Sequence, residues 1–159
     1  MNDLPSDRMR IEPCTRELLE DWIVLRLALW PDTPKAEHRR EAEALIASGQ
    51  AVAFLAHASG QPAAGFAEAT LRRDYVNGCT TSPVAFLEGI YVRPGHRRRG
   101  IARLLCQAVA DWATEQGCTE FASDTELHNT DSQRMHRALG FEETERVVYF
   151  RKLLARPNR

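Results

Sequence analysis

The sequence predicts an α/β (α+β) fold: one domain over residues 1–159, with a mixed central sheet flanked by helices and a V-shaped cleft between two parallel strands. Three observations carry this. Strand-like and helix-like patterns follow one another in the order βααββ–β–α–β–α–β. A strand-like run, Phe86 to Val92, leads into an amphipathic helical run, Ile101 to Trp112, and then into another strand, so a crossover joins neighbouring parallel strands. Between the first strand and the helix lies Arg93-Pro94-Gly95-His96-Arg97-Arg98-Arg99-Gly100-Ile101-Ala102. A basic, glycine-bearing loop at a helix N-terminus is an anion site, and strand carboxyl ends that part company are where ligands bind.

Taken in order, Met9 to Cys14 is a short strand. Thr15 can cap a helix carrying Leu18, Trp22, Leu25 and Leu29, which Pro31 and Pro34 stop. Ala36 to Ser48 is a second helix, closed by Gly49 where a left-handed cap is wanted. Ala51 to His57 and Ala63 to Arg72 form a hairpin around Ser59-Gly60-Gln61-Pro62. A polar loop, Arg73 to Pro83, leads to the strand Phe86 to Val92. The helix Gly100 to Gln116 shows an apolar stripe of Ile101, Leu104, Leu105, Ala108 and Trp112, and Gly117 ends it. Glu120 to Asp124 is a strand, Asn129 or Thr130 caps a short helix to Leu139, and Gly140-Phe141 turns the chain into a final strand, Thr144 to Leu154.

Composition removes several classes. A formal net charge of −1 gives no bulk field toward nucleic acid or membrane. No apolar run approaches the ~20 residues of a membrane span, and Met1 to Arg10 lacks the apolar core of a signal peptide. Cys14, Cys79, Cys106 and Cys118 lie far apart and read as free thiols of a reducing cytoplasm, with Cys106 on a helix core face. The five histidines show no metal-ligand spacing, so no metal is expected.

The ligand of the basic loop narrows by elimination. Gly95 and Gly100 have the spacing of a P-loop, but Ile101 and Ala102 stand where lysine and a hydroxyl are needed. A dinucleotide fingerprint needs a third glycine. What remains, Arg97-x-x-Gly100-x-Ala102, resembles the Gln/Arg-x-x-Gly-x-Gly/Ala signature of the GNAT-type N-acetyltransferases, and the element order is similar to theirs. The resemblance implies that the loop, with Arg97, Arg98, Arg99, Gly100, Ile101 and Ala102, wraps the pyrophosphate of acetyl-CoA, that Ile90 and Val92 pair with its pantetheine amides, and that Asn129 belongs to the same site.

Further stretches sharpen the likeness: Arg73-Asp74-Tyr75-Val76-Asn77-Gly78, Phe86-Leu87-Glu88-Gly89-Ile90, Ala122-Ser123-Asp124-Thr125 with Asn129, and Leu139 to Arg146. Together they resemble the chromosomal bacterial aminoglycoside 6′-N-acetyltransferases over essentially the whole chain after its first ten residues. This implies acetyl transfer to the 6′-amine of kanamycin- or tobramycin-like antibiotics, and a homodimer, for which the last strand, Glu145 to Leu154, offers an apolar edge.

The chemistry can be read beside that. An ammonium cannot attack a thioester, so the acceptor must be bound as a cation, deprotonated and held against the carbonyl carbon. Glu88 stands in an apolar strand, where alternation places it with Phe86, Ile90 and Val92. It is a buried ion pair with an arginine or a site carboxylate, and the resemblance assigns it the proton, taken through water. Asp124 ends a strand at the cleft; Glu145 opens the last strand within a cluster with Glu142 and Glu143. Trp30 before Pro31, and Tyr75 in a polar loop, are aromatic candidates for a sugar face, and in the resembling enzymes these positions line the aminoglycoside site. Many superfamily members carry a tyrosine seven residues after the motif asparagine to protonate the leaving thiolate. Here that count lands on His136, which is either such a donor or a satisfied helix histidine. Gly89 suggests a bulge or close backbone approach near an oxyanion donor. Other readings are an acetyltransferase acting on a polyamine, peptide or protein amine, a non-enzymatic acetyl-CoA-binding module, and a phosphate contact to RNA or DNA through Arg97-Arg98-Arg99, which a neutral domain without interleaved aromatics supports poorly.

Overall fold

The computed structural model describes residues 8–155. Most of the Met1 to Arg10 segment, read above as too polar for a signal peptide, lies outside them. The elements run β1 (Arg10–Pro13), a 3-10 turn (Arg16–Leu18), α1 (Leu19–Leu29), α2 (Lys35–Ser48), β2 (Ala51–His57), β3 (Gly65–Arg72), β4 (Val84–Val92), a second 3-10 turn (Pro94–His96), α3 (Ile101–Glu115), β5 (Phe121–Ser123) and α4 (Thr130–Ala138). The strands form one sheet in the order β1-β2-β3-β4-β5. All neighbours are antiparallel except β4 and β5, which the α3 crossover makes parallel. Among the described residues no helix is long and apolar enough to cross a membrane.

Local chemistry sets the boundaries. Thr15 is extended and precedes the first turn, but it caps through its carbonyl, which accepts from Leu18 N–H at 3.0 Å, and not through its hydroxyl as the sequence suggests. Pro34 starts α2, where a missing N–H costs nothing, and Gly49 ends it at φ 64°. Helices cover both sheet faces. α1 and α2 bury Trp22, Ile23, Leu25 and Ala42 against Leu55 and Phe66. α3 buries Ile101, Leu105 and Val109 against Ala67, Ala69, Leu87 and Val92. The buried ridge of α3 is Ile101, Leu105, Val109 and Ala113, widened by Cys106. It is rotated from the predicted stripe, so that Leu104 faces out.

Two expectations are corrected. The final strand, Thr144 to Leu154, does not form: no strand follows β5 among the described residues. An alternating run becomes a strand only against a neighbouring edge that takes up its N–H and C=O groups, and this chain pairs none of its own edges with it. Val148, Tyr149, Phe150, Leu153 and Leu154 are left exposed. The second correction concerns β4. Ala69 pairs with Leu87 but Glu68 pairs with Gly89, so Glu88 is the extra residue of a β-bulge. The bulge breaks the alternation after Glu88. Ile90 and Val92 join Leu87 on the α3 face, while Glu88 stays on the α1/α2 face with Phe86, Gly89 and Tyr91. Gly89 thus marks both a bulge and a close approach: a Cβ there would lie 2.5 Å from the Trp30 ring.

Candidate active site

β4 and β5 pair only over Ala85 to Leu87 and Phe121 to Ser123. Beyond Leu87, β4 continues to Val92 with no neighbour on that side, so the sheet opens into a gap at the carboxyl ends of the two parallel strands.

At its far end lies the basic loop. Arg98 has φ 62° and Gly100 φ 76°, two left-handed residues that turn successive N–H groups outward. The N–H groups of Arg98, Arg99 and Gly100 find no acceptor among the described residues. Those of Ile101, Ala102 and Arg103 precede the first helical bond, from Leu104 N–H to Gly100 O at 3.1 Å. The side chains of Arg98 and Arg99 are exposed and form no ion pair there. Arg97 differs: its Nε donates to Val92 O at 2.8 Å, and its guanidinium lies 5.6 Å from the Tyr91 ring, so it ties the loop to β4. Nδ1 of His96 is buried without a partner, and such an orphan in an anion loop suits a bound polar group. Asn129 caps α4, accepting from Ser132 N–H at 3.1 Å. The free N–H groups, the buried His96 Nδ1 and the exposed guanidinia of Arg98 and Arg99 have the chemistry that suits a pyrophosphate.

On the α1/α2 face a cavity of about 560 Å³ is lined by Trp30, Thr33, His38, Glu41, Glu68, Thr70 and Glu88 among others. Glu88 is ion-paired with an arginine, Arg72, and it also lines this cavity. Its Oε1 accepts from Thr70 Oγ1 at 2.6 Å and from Arg72 Nε and Nη2 at 3.2 and 2.9 Å. Its Oε2 receives only Arg72 Nη2, at 3.1 Å, and the side chain is 29 % exposed toward the cavity. The carboxylate is therefore fixed in direction but open on one oxygen.

Behind the cavity wall lies a network that the sequence reading missed. Arg26 Nη1 donates to both oxygens of Glu68, at 2.6 and 2.7 Å, and Trp22 Nε1 donates to Glu68 Oε2 at 2.8 Å. Arg26 Nη2 pairs with Glu41, and Arg26 Nε donates to His38 Nδ1 at 3.3 Å. His38 Nε2, which must then carry the proton, donates to Trp30 O at 3.0 Å. The Trp30 ring stacks on His38 at 6.3 Å and sits 5.1 Å from the Arg26 guanidinium. Burial pushes the Glu68 carboxyl up; the charge and hydrogen bonds of Arg26 oppose it. The signal was available: Arg26 stands on the apolar face of its helix and Glu68 in an apolar strand, the same anomaly that singled out Glu88.

The remaining candidates are less assembled. Asp124 is exposed, one residue past the last β4–β5 pair and across the opening from Glu88. Tyr75 is 74 % exposed, which removes the reading of ordinary packing under its loop. Glu145 lies exposed in the unpaired C-terminal segment, while its neighbour Glu143 pairs with Arg137 and Arg146. His136 is fully engaged, its Nε2 2.7 Å from Ser123 Oγ and its Nδ1 2.7 Å from Ser132 O. The four cysteines are unpaired, and burial raises each thiol, Cys14 to about 12 with further help from Asp21 and Glu68. No group of three or more histidine, cysteine or acidic residues able to hold a metal ion occurs among the described residues.

Residues 15–141 match the model of the acetyltransferase (GNAT) family. The aminoglycoside N(6′)-acetyltransferase type 1 of Serratia marcescens is 52 % identical over 141 residues, 89 % of this chain and 97 % of that protein. The solved structure of the aminoglycoside N-acetyltransferase AAC(6′)-Iy in complex with CoA superposes with a TM-score of 0.90 at 49 % identity, covering 94 % of this chain and 98 % of that one. The same enzyme with the bisubstrate analogue CoA-S-monomethyl-acetylneamine gives 0.88 at 49 % identity, covering 92 % and 99 %.

Proposed function

The chain belongs to the acetyltransferase (GNAT) family, and from that premise we propose that it is an aminoglycoside 6′-N-acetyltransferase, moving the acetyl group of acetyl-CoA to the 6′-amine of aminoglycoside antibiotics and so conferring resistance to them. The observation that carries this is the juxtaposition at the β4–β5 gap: an anion-binding loop on one side, and on the other a cavity lined by Trp30, Glu41 and Glu88. A polyanionic donor and a polycationic acceptor suit these two ends. The test is acetyl-CoA-dependent thiol release across aminoglycosides, polyamines and peptides. Turnover with aminoglycosides alone is expected; turnover confined to another amine class overturns the reading.

In this mechanism the free N–H groups from Arg98 to Arg103 hold the pyrophosphate, supported by the charges of Arg98 and Arg99. Arg97 shapes the loop, and Asn129 fixes the neighbouring helix end. The pantetheine lies along Ile90 and Val92. The acceptor sugar rests against Trp30, with Tyr75, Asp124 and Glu145 as further contacts, and the open oxygen of Glu88 takes the amine's proton through water. Backbone N–H groups at the Glu88–Gly89 bulge face the carbonyl oxygen as it becomes negative.

Two expected results follow. Gly100→Val should lower acetyl-CoA affinity at least tenfold by calorimetry. The space beside Gly100 is open, but φ 76° is costly for a β-branched residue, so the nest itself is lost. Unchanged affinity in a folded variant contradicts this role for the loop. We also infer a homodimer built through residues 144–154. That segment exposes Val148, Tyr149 and Phe150, the last at 92 %, and β5 leaves one edge of the sheet free. Light scattering at micromolar concentration should give twice the mass of the chain; a monomer mass contradicts it. A reducing cytoplasm, where acetyl-CoA is made and unpaired thiols persist, is the compartment that fits.

A further inference from the structure

The two proton transfers of acetyl exchange face opposite sides of the sheet opening. Glu88 lies on the α1/α2 side, with the acceptor cavity. On the α3/α4 side, at the last β4–β5 pair, stands Ser123. The Ser123 hydroxyl thus borders the opening in which the thioester must react, on the side away from the acceptor cavity, where it does not compete with the incoming amine.

Ser123 is not an isolated hydroxyl. Its Oγ is 2.7 Å from His136 Nε2. His136 is held on its other side, with Nδ1 2.7 Å from Ser132 O and the ring edge-on to Phe141 at 5.4 Å. Ser132 Oγ is farther from Nδ1, at 3.4 Å. A carbonyl only accepts, so Nδ1 keeps its proton and Nε2 is the nitrogen that gains or loses one. With neutral His136, the Ser123 hydroxyl donates to Nε2. With the imidazolium, Nε2–H donates to Oγ and the hydroxyl hydrogen is released. Its remaining neighbour is Leu87 O at 3.5 Å, the limit of a hydrogen bond, which leaves that hydrogen free to turn into the gap.

We propose that Ser123 is a catalytic residue of the transfer, with His136 behind it as the proton-supplying positioning residue. This rests on the acetyl-transfer reading above. As the amine nitrogen bonds to the carbonyl carbon and the C–S bond breaks, the bonding pair goes to sulfur. The sulfur takes the Ser123 hydroxyl proton while the His136 imidazolium passes its Nε2 proton to Oγ. The amine's own proton leaves by Glu88 and water, and His136 is reprotonated from solvent. A direct donation from His136 is replaced by this relay, because both ring nitrogens are already engaged.

The experiment is single-turnover acetyl transfer from acetyl-CoA to a 6′-amino aminoglycoside between pH 6 and 9, with the wild type, Ser123→Ala, Ser123→Thr, His136→Gln and the Ala/Gln double variant. A thiolate leaves readily, so Ser123→Ala and His136→Gln are each expected to slow transfer about tenfold near neutrality, below the ~10²–10⁴ of stronger acid–base cases. The double variant should be no slower than either, since both act in one relay. Ser123→Thr, which keeps the hydroxyl, should restore the rate. Acetyl-CoA and aminoglycoside affinities should stay within about twofold. A wild-type rate across this pH range in Ser123→Ala overturns the relay, and if that variant does not fold, the same result in His136→Gln does so. A wild type that acetylates no aminoglycoside overturns the parent reading first; an active wild type with unperturbed variants overturns the relay alone.

Discussion

Replacing Glu88 with Gln is expected to lower turnover by roughly 10²-fold, the low end for loss of a general base, with little change in the acceptor's KM. The amide is nearly isosteric and still accepts from Thr70 and Arg72 through its oxygen, so the bulge and cavity keep their shape. What is lost is the open Oε2 that takes a proton. The pair with Arg72 is half exposed to solvent, so stability should fall by less than about 1 kcal/mol. Amines of this kind lose their proton unaided near ~10, so the deficit should narrow as pH rises toward that value. Asp124→Asn, at an exposed position across the gap, should show a mixed effect, with a higher KM and a smaller loss of turnover. Steady-state kinetics with tobramycin and kanamycin check both. Wild-type kinetics in both variants would make these carboxylates structural.

The largest expected effect on stability is at Arg26. Arg26→Ala leaves Glu68 buried without its bidentate partner and should cost about 3–5 kcal/mol in urea unfolding. The pH dependence follows from the direction of the Glu68 shift. Without Arg26, burial and the nearby Glu88 charge both push the Glu68 carboxyl up in the folded state. The unfolded chain then gives up this proton more readily, so the penalty is full only above the raised folded-state value, shrinks as pH falls from there toward the ordinary carboxylate range, and is gone below that range. Arg26→Met with Glu68→Leu removes both charges and should cost much less than Arg26→Ala, about 1–2 kcal/mol for the buried Trp22 N–H left without its acceptor. It should still raise the aminoglycoside KM, because Trp30 loses the cation beneath its ring and Glu41 loses its partner. A double variant as unstable as Arg26→Ala contradicts the assignment of the cost to an unpaired charge.

The element order up to α4, the crossover and the glycine turns around the helices were legible because each rests on local pattern: Gly100 before a helical stripe, and Gly49 after one. The faces of β4 were not, since alternation counts residues and a bulge inserts one; only Gly89 hinted at it. Glu88 stands out as a carboxylate in an apolar strand. Glu68 and Arg26 carry the same mark, but nothing local shows that they are partners, since β3 and α1 meet only in the fold. His136 was found by spacing, but Ser123, which pairs with it from another element, has no local mark. Thr144 to Leu154 reads as a strand by pattern, yet a strand needs a neighbour and the single chain supplies none.

The central claim is transfer to one nitrogen, reached through the cavity beside Glu88. Its most direct test is the product formed from acetyl-CoA with two matched aminoglycosides, one bearing an amine at the 6′ position and the other a hydroxyl. A single acetyl group on the 6′ nitrogen of the first, located by NMR, with no product from the second, is the expected result. Equal acetylation of both, or acetylation at another amine, would contradict it.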